Sequence, residues 1–155
     1  MSFIRSHLVA VGRMKPGPER ALFDHYAARL APPPEMREVE EKRNLPSEKM
    51  KAREAVLLLG AIPDGALIVA MDERGKRLGS LAFAKTLGDW RDEGVRDVAF
   101  VIGGADGLDR AVLDKASLIL SLGEMTWPHM LVRGLLAEQL YRANAILSGH
   151  PYHRE

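Results

Sequence analysis

The stretch "DVAFVIGGADG" (Asp97–Gly107) decides how this chain is to be read. Val98 to Ile102 form a short run with no polar residue on either alternating face, and two glycines stop it. A run apolar on both faces suits a strand buried on both sides, the kind found in parallel sheets covered by helices. The stretch "ALIVAMD" (Ala66–Asp72) repeats the pattern, and "LILSLGEM" (Leu118–Met125) gives a third strand. Upstream, "FIRSHLVAVG" (Phe3–Gly12) reads as the first strand and "EMREVEEK" (Glu35–Lys42) alternates as an edge strand does.

Helix-period segments separate these runs. They begin at "ERALFDHYAARLA" (Glu19–Ala31), "PSEKMKAREAVLLLGAI" (Pro46–Ile62) and "LGSLAFAKTLGDWRDEG" (Leu78–Gly94). A short one follows at "LDRAVLDKA" (Leu108–Ala116), and a long one starts at Pro128. Pro32–Pro34 end the first helix, because proline cannot donate to a helix and bars its predecessor from helical geometry. The βαβαβαβαβα order predicts one α/β domain over residues 1–155, a mainly parallel sheet with helices on both faces.

Composition narrows the class. The chain is 46% apolar and 28% charged, as soluble globular proteins are. It has no cysteine, which excludes disulfide scaffolds, thiolate metal sites and cysteine nucleophiles and fits a reducing compartment. With no signal-peptide pattern at the N-terminus and no run long enough to span a bilayer, the expectation is a cytoplasmic protein without a membrane partner. A net charge of +1 argues against wrapping DNA or RNA by charge alone, while leaving room for a small, locally basic contact with a folded RNA.

In parallel sheets ligands sit beyond the carboxyl ends of the strands. Three turns there are shaped by glycine or proline: "AMDERGK" (Ala70–Lys76), "VIGGADG" (Val101–Gly107) and "SLGEMTWPH" (Ser121–His129). None is a Walker loop, and Gly103–Gly104 lack the spacing and the first-strand position of a dinucleotide fingerprint. The glycine pair has two readings, a turn with positive φ or bare backbone against which a ligand lies. No metal-binding spacing such as H-E-x-x-H occurs.

The last helix and its tail, "TWPHMLVRGLLAEQLYRANAILSGHPYHRE" (Thr126–Glu155), carry the densest chemistry. Pro128 suits a first helical turn, with Thr126 or Trp127 expected as cap. Leu131, Val132, Leu135, Leu136, Leu140, Tyr141 and Ile146 spread round most of the helix, which predicts burial on most sides and a homodimer interface. His129 and Arg133 share one face, and Glu138 and Arg142 another, each pair four residues apart. Such pairs are usually solvated. On a helix with little solvated surface, Glu138 is expected to hold Arg142 for an anionic or planar partner.

The run "MTWPHMLVRGLLAEQLYRANAI", the terminal "PYHRE", "VIGGADG" and the opening "LVAVGRMK" together resemble the RlmH/YbeA family of SPOUT-class methyltransferases of large-subunit ribosomal RNA. The resemblance extends over essentially the whole chain. It implies a C-terminal trefoil knot, a homodimer built on it, S-adenosylmethionine as methyl donor, and N3-methylation of a pseudouridine in 23S RNA on assembled ribosomes. It implies a cofactor pocket of Met71, Gly103, Gly104, Leu122, Gly123, Glu124, Met125, Thr126 and Trp127. The base-handling residues it implies are His129, Arg133, Glu138, Arg142, Tyr152, His153 and Arg154, with the tail reaching across the dimer. Ala105–Asp106 and Gly123–Glu124 depart from the family pattern in the cofactor loops. The alternative, a non-catalytic nucleotide-binding or ribosome-associated module, has against it the intact set of helix and tail residues.

Overall fold

A computed structural model describes residues 3–154. Five strands, β1 (Arg5–Val11), β2 (Glu35–Val39), β3 (Leu67–Arg77), β4 (Asp97–Ile102) and β5 (Leu118–Ser121), form one sheet in the order β2-β1-β4-β3-β5. Every pairing is parallel. The helices are α1 (Pro18–Ala27), α2 (Ser47–Ala61), α3 (Ser80–Asp92), α4 (Arg110–Leu113) and α5 (His129–Ser148).

Period-two alternation sends each strand's side chains into two separate cores. Leu8, Ala10, Val69, Met71, Val98, Phe100 and Ile102 meet Phe23 of α1, Phe83 and Leu87 of α3 and Leu136 and Leu140 of α5. Val9, Val11, Ala70, Ala99 and Val101 meet Ala55 and Leu58 of α2 and Val112 of α4. β1 and β4, paired side by side, are buried almost throughout, whereas β2, at the sheet edge, is largely open, matching its alternating sequence.

Two local expectations change. The turn expected over Ala70–Lys76 is an excursion inside β3: the strand leaves β5 after Met71 and pairs with it again at Lys76 and Arg77. Gly75 makes the return possible, since a Cβ there would lie 2.6 Å from the Ile119 carbonyl oxygen. The cap of α5 is neither Thr126 nor Trp127 but Pro128, with no side-chain capping bond. The Thr126 hydroxyl instead donates to Glu73 Oε2 at 2.7 Å and ties this turn to the β3 excursion.

The apolar girdle of α5 also has an explanation within the chain, because α5 packs against both α1 and α3 as well as the sheet. Gly134 brings it close to α1: a Cβ there would meet Leu22 at 2.7 Å. Leu131 and Leu135 stay only partly buried and belong to neither core.

Candidate active site

The three turns singled out in the sequence converge. They enclose an open cleft of about 740 Å³ beyond the carboxyl ends of β3, β4 and β5. Its floor is apolar, formed by Met71, Ile102, Leu120 and Leu122, and its rim carries Asp72, Asp106 and Lys51. Of the nine cofactor residues expected from the sequence, all but Glu124 line it. Glu124 lies outside that lining, its carboxylate 2.9 Å from Arg77.

The glycine turn has a definite reason for its composition. Neither Gly103 nor Gly104 has a positive φ; in this turn that conformation falls on Gly107. Gly103 is small because the turn folds back onto it, and a Cβ would sit 2.9 Å from the Gly107 backbone. Gly104 accepts from the Gly107 N–H at 3.1 Å, closing the turn. The positive-φ reading of the pair is thereby corrected, and close approach of backbone is the cause. Bare backbone beside an apolar floor suits a flat ring with polar edges.

Behind the turn lies Glu54 of α2, 7% exposed, with Oε1 unpaired among the described residues. Its Oε2 would be 3.2 Å from a Cβ on Gly104. Burial, then the charge of Asp106, pushes its carboxyl pKa up. Nothing in its sequence context pointed to it.

His129, the first residue of α5, lines the cleft. Burial, and secondarily the Arg133 charge, lowers its pKa, so its ring is neutral at neutral pH. Its Nδ1 is buried and unpaired among the described residues. Arg133 does not pair with the neighbouring helix turn. It is fully buried and donates to Glu38 Oε2 at 2.6 Å, the Val11 carbonyl at 2.9 Å and the Gly12 carbonyl at 2.8 Å. Glu38 also accepts from the Met14 N–H at 2.7 Å. Arg133 thus joins α5 to the ends of β1 and β2, outside the cleft lining.

The remaining candidates cluster at the other end of α5. Glu138 grips Arg142 through two bonds, Nε–Oε1 at 2.9 Å and Nη2–Oε2 at 3.2 Å, as the spacing predicts. Arg142 Nη1 donates to His153 Nδ1 at 3.0 Å; since a guanidinium only donates, that nitrogen is the acceptor. The Arg142 guanidinium lies 4.8 Å over the Tyr152 ring, and Tyr152 packs edge-on to Tyr141 at 4.7 Å. The Tyr152 hydroxyl donates to Glu138 Oε2 at 3.4 Å, and the influence of Tyr26 together with burial pushes its pKa up to about 12, keeping the phenol neutral. Arg154 is exposed, and Glu155 lies outside the described residues.

Among the described residues, none of the tail lines the cleft. Arg142 is thirteen residues beyond His129 on one straight element, roughly 20 Å at 1.5 Å per residue. The structure therefore brings the cofactor candidates together with His129, and separately gathers Glu138, Arg142, Tyr152 and His153.

Comparison with known proteins fits this layout. The family described as "Predicted SPOUT methyltransferase" matches residues 4–153. The chain belongs to the SPOUT methyltransferase family. Its curated relatives include the ribosomal RNA large subunit methyltransferases H of Paramagnetospirillum magneticum, 60% identical over 97% of this chain and 99% of the relative, and of Rhodospirillum centenum, 58% identical over the same shares. That of Rhizobium rhizogenes is 53% identical, again over 97% and 99%. As a SPOUT protein it carries two supporting groups that sequence patterns did not signal, Glu38 for Arg133 and Tyr26 for Tyr152. Both come from distant elements, so no local spacing announces them.

Proposed function

We propose that this SPOUT methyltransferase transfers a methyl group from S-adenosylmethionine to N3 of a pseudouridine in large-subunit ribosomal RNA, on assembled ribosomes. The observation that carries the reading is the glycine-backed cleft itself, in a chain most of whose length is matched by the methyltransferases H. Met71, Gly103, Gly104 and the 122–127 turn would hold the cofactor, which supplies a methyl already activated on a sulfonium. The chain's contribution is position and charge. The N3–H bond must break as the N–C bond forms, and the neutral His129 ring is suited to take that proton. His153 is the poorer acceptor, because its Nδ1 is already occupied by Arg142. Arg142, fixed by Glu138, would stabilise the negative charge that develops on the imide.

The cleft and the arginine cluster act on one base only if a second copy supplies one of them. The roughly 20 Å between them along α5 supports a homodimer in which each tail completes the other chain's cleft. Partly buried Leu131 and Leu135 support α5 as its interface. The knotted threading of the C-terminal segment belongs to the same reading, resting on the family alone.

Calorimetry with S-adenosylmethionine, followed by methyl incorporation into ribosomes from a strain lacking the enzyme, tests the reading. Binding together with one new N3-methylated pseudouridine in a mass map of the RNA is expected. Binding with no incorporation would favour the non-catalytic module.

A further inference from the structure

A second depression opens on the other side of Gly12, at the carboxyl ends of β1 and β2. It has a volume of about 620 Å³ and is lined by Gly12, Arg13, Lys15, Glu38, Val39, Glu40 and Lys42. We propose that this groove holds the phosphodiester backbone of the RNA strand flanking the target nucleotide, through Arg13, Lys15 and Lys42. The inference rests on the reading of the neighbouring cleft as a site acting on RNA.

The groove gathers three exposed cations into one place. Most other arginines of the chain have a carboxylate partner, as Arg5, Arg43, Arg74, Arg77 and Arg142 do. Among the described residues Arg13, Lys15 and Lys42 have none within 4.0 Å, and all three are exposed. Two carboxylates share the groove. The charge of Glu38 is met by Arg133 and by the Met14 N–H, which among the described residues leaves Glu40 as the one acidic group facing three cations. A protein of net charge +1 thus leaves a local surplus of positive charge beside its cleft. Such a surplus, in which none of the three cations is paired with a carboxylate, suits phosphate oxygens, whose binding releases counterions.

Position gives the groove a role in the reaction. Gly12 forms its wall, and a Cβ on Gly12 would lie 3.5 Å from His129 Cε1 and 3.9 Å from Arg133 Nη2. The ring that faces the cleft therefore backs onto the residue that bounds the groove. A strand presenting a base beside His129 would pass Gly12, and its flanking phosphates would meet the groove that Gly12 bounds. Phosphate contacts of this kind set register and carry no base specificity, which fits an enzyme that takes its selectivity from the shape of an assembled particle.

The test is the triple substitution Arg13→Gln, Lys15→Gln, Lys42→Gln, with the three single variants beside it, assayed on ribosomes. All sites are exposed and unpaired, so an unchanged melting temperature verifies folding. The expected result for the triple variant is a KM for ribosomes at least about tenfold higher at physiological salt, with S-adenosylmethionine affinity and saturated kcat unchanged. Each single variant should lower the slope of log KM against log salt by about 0.7, the value for one contact to a single strand. Unchanged KM and slope would overturn the proposal. So would a loss of cofactor affinity equal to the rise in KM, because the groove would then serve the cleft rather than RNA. If the wild-type protein incorporated no methyl, the reading of the cleft would fail first. Co-sedimentation with ribosomes would still test the groove, and equal binding by wild type and triple variant would sink it.

Discussion

Two arginines nine residues apart on α5 show how differently one side chain can be used. Arg133 is enclosed, and its donors reach Glu38 and the carbonyls at the end of β1. Arg142 is only partly buried, gripped on one edge by Glu138 and lying across Tyr152. The partners of the first come from strands over ninety residues away; those of the second lie on the same helix or in the tail that follows it. The first has the surroundings of a structural tie and the second those of a group held ready for something outside the chain. Burial separates them: desolvation lowers the Arg133 pKa, while pairing with Glu138 raises that of Arg142.

That contrast breaks most visibly under truncation. Arg133→Ala leaves Glu38 without its cation and two carbonyls without donors, and should cost about 3–5 kcal/mol in urea unfolding. If stability is retained and turnover alone is lost, Arg133 belongs with Arg142. Arg142→Ala should leave unfolding and S-adenosylmethionine binding nearly unchanged and lower kcat about a hundredfold, or about 2.7 kcal/mol. Mixing it with His129→Ala subunits sharpens the point. Recovered turnover in the mixture means that the two groups work across a dimer, and none means that they work within one chain.

The smallest effect lies behind the glycine turn, where Glu54 is a buried charge without the partner that Arg133 has. Its carboxyl pKa is raised on folding, so the folded state binds the proton more tightly than the unfolded chain. Its contribution to stability is present below the ordinary carboxylate range and is lost as pH rises through the raised value. Glu54→Gln should therefore stabilise the protein by about 1 kcal/mol at pH 8, and the gain should vanish near pH 4. A loss of stability at pH 8 would mean that Glu54 is paired in solution.

The sequence made the architecture legible wherever a pattern was local. Val98–Ile102 and Leu67–Met71 read as strands because their apolar residues fill both faces, and both are strands. Glu138 and Arg142 were legible as a pair because one helical turn brings them together. The return of β3 to β5 at Lys76 was not legible, since charged residues there look like a loop until a neighbouring strand offers hydrogen bonds. Thr126 was misread as a cap because its actual acceptor, Glu73, is 53 residues away in sequence.

What the sequence determined by itself was the order of elements, the parallel sheet and the three segments that line the cleft, all consequences of periodicity and of glycine and proline chemistry. The tertiary structure decided which charged groups meet. Parallel register sets Ala10 of β1 beside Glu38 of β2, on the face that α5 covers, and only there does Arg133 acquire its carboxylate. The same packing holds His129 and the tail cluster at opposite ends of one rigid helix. Such pairings depend on the register of strands distant in sequence, and no local spacing encodes it.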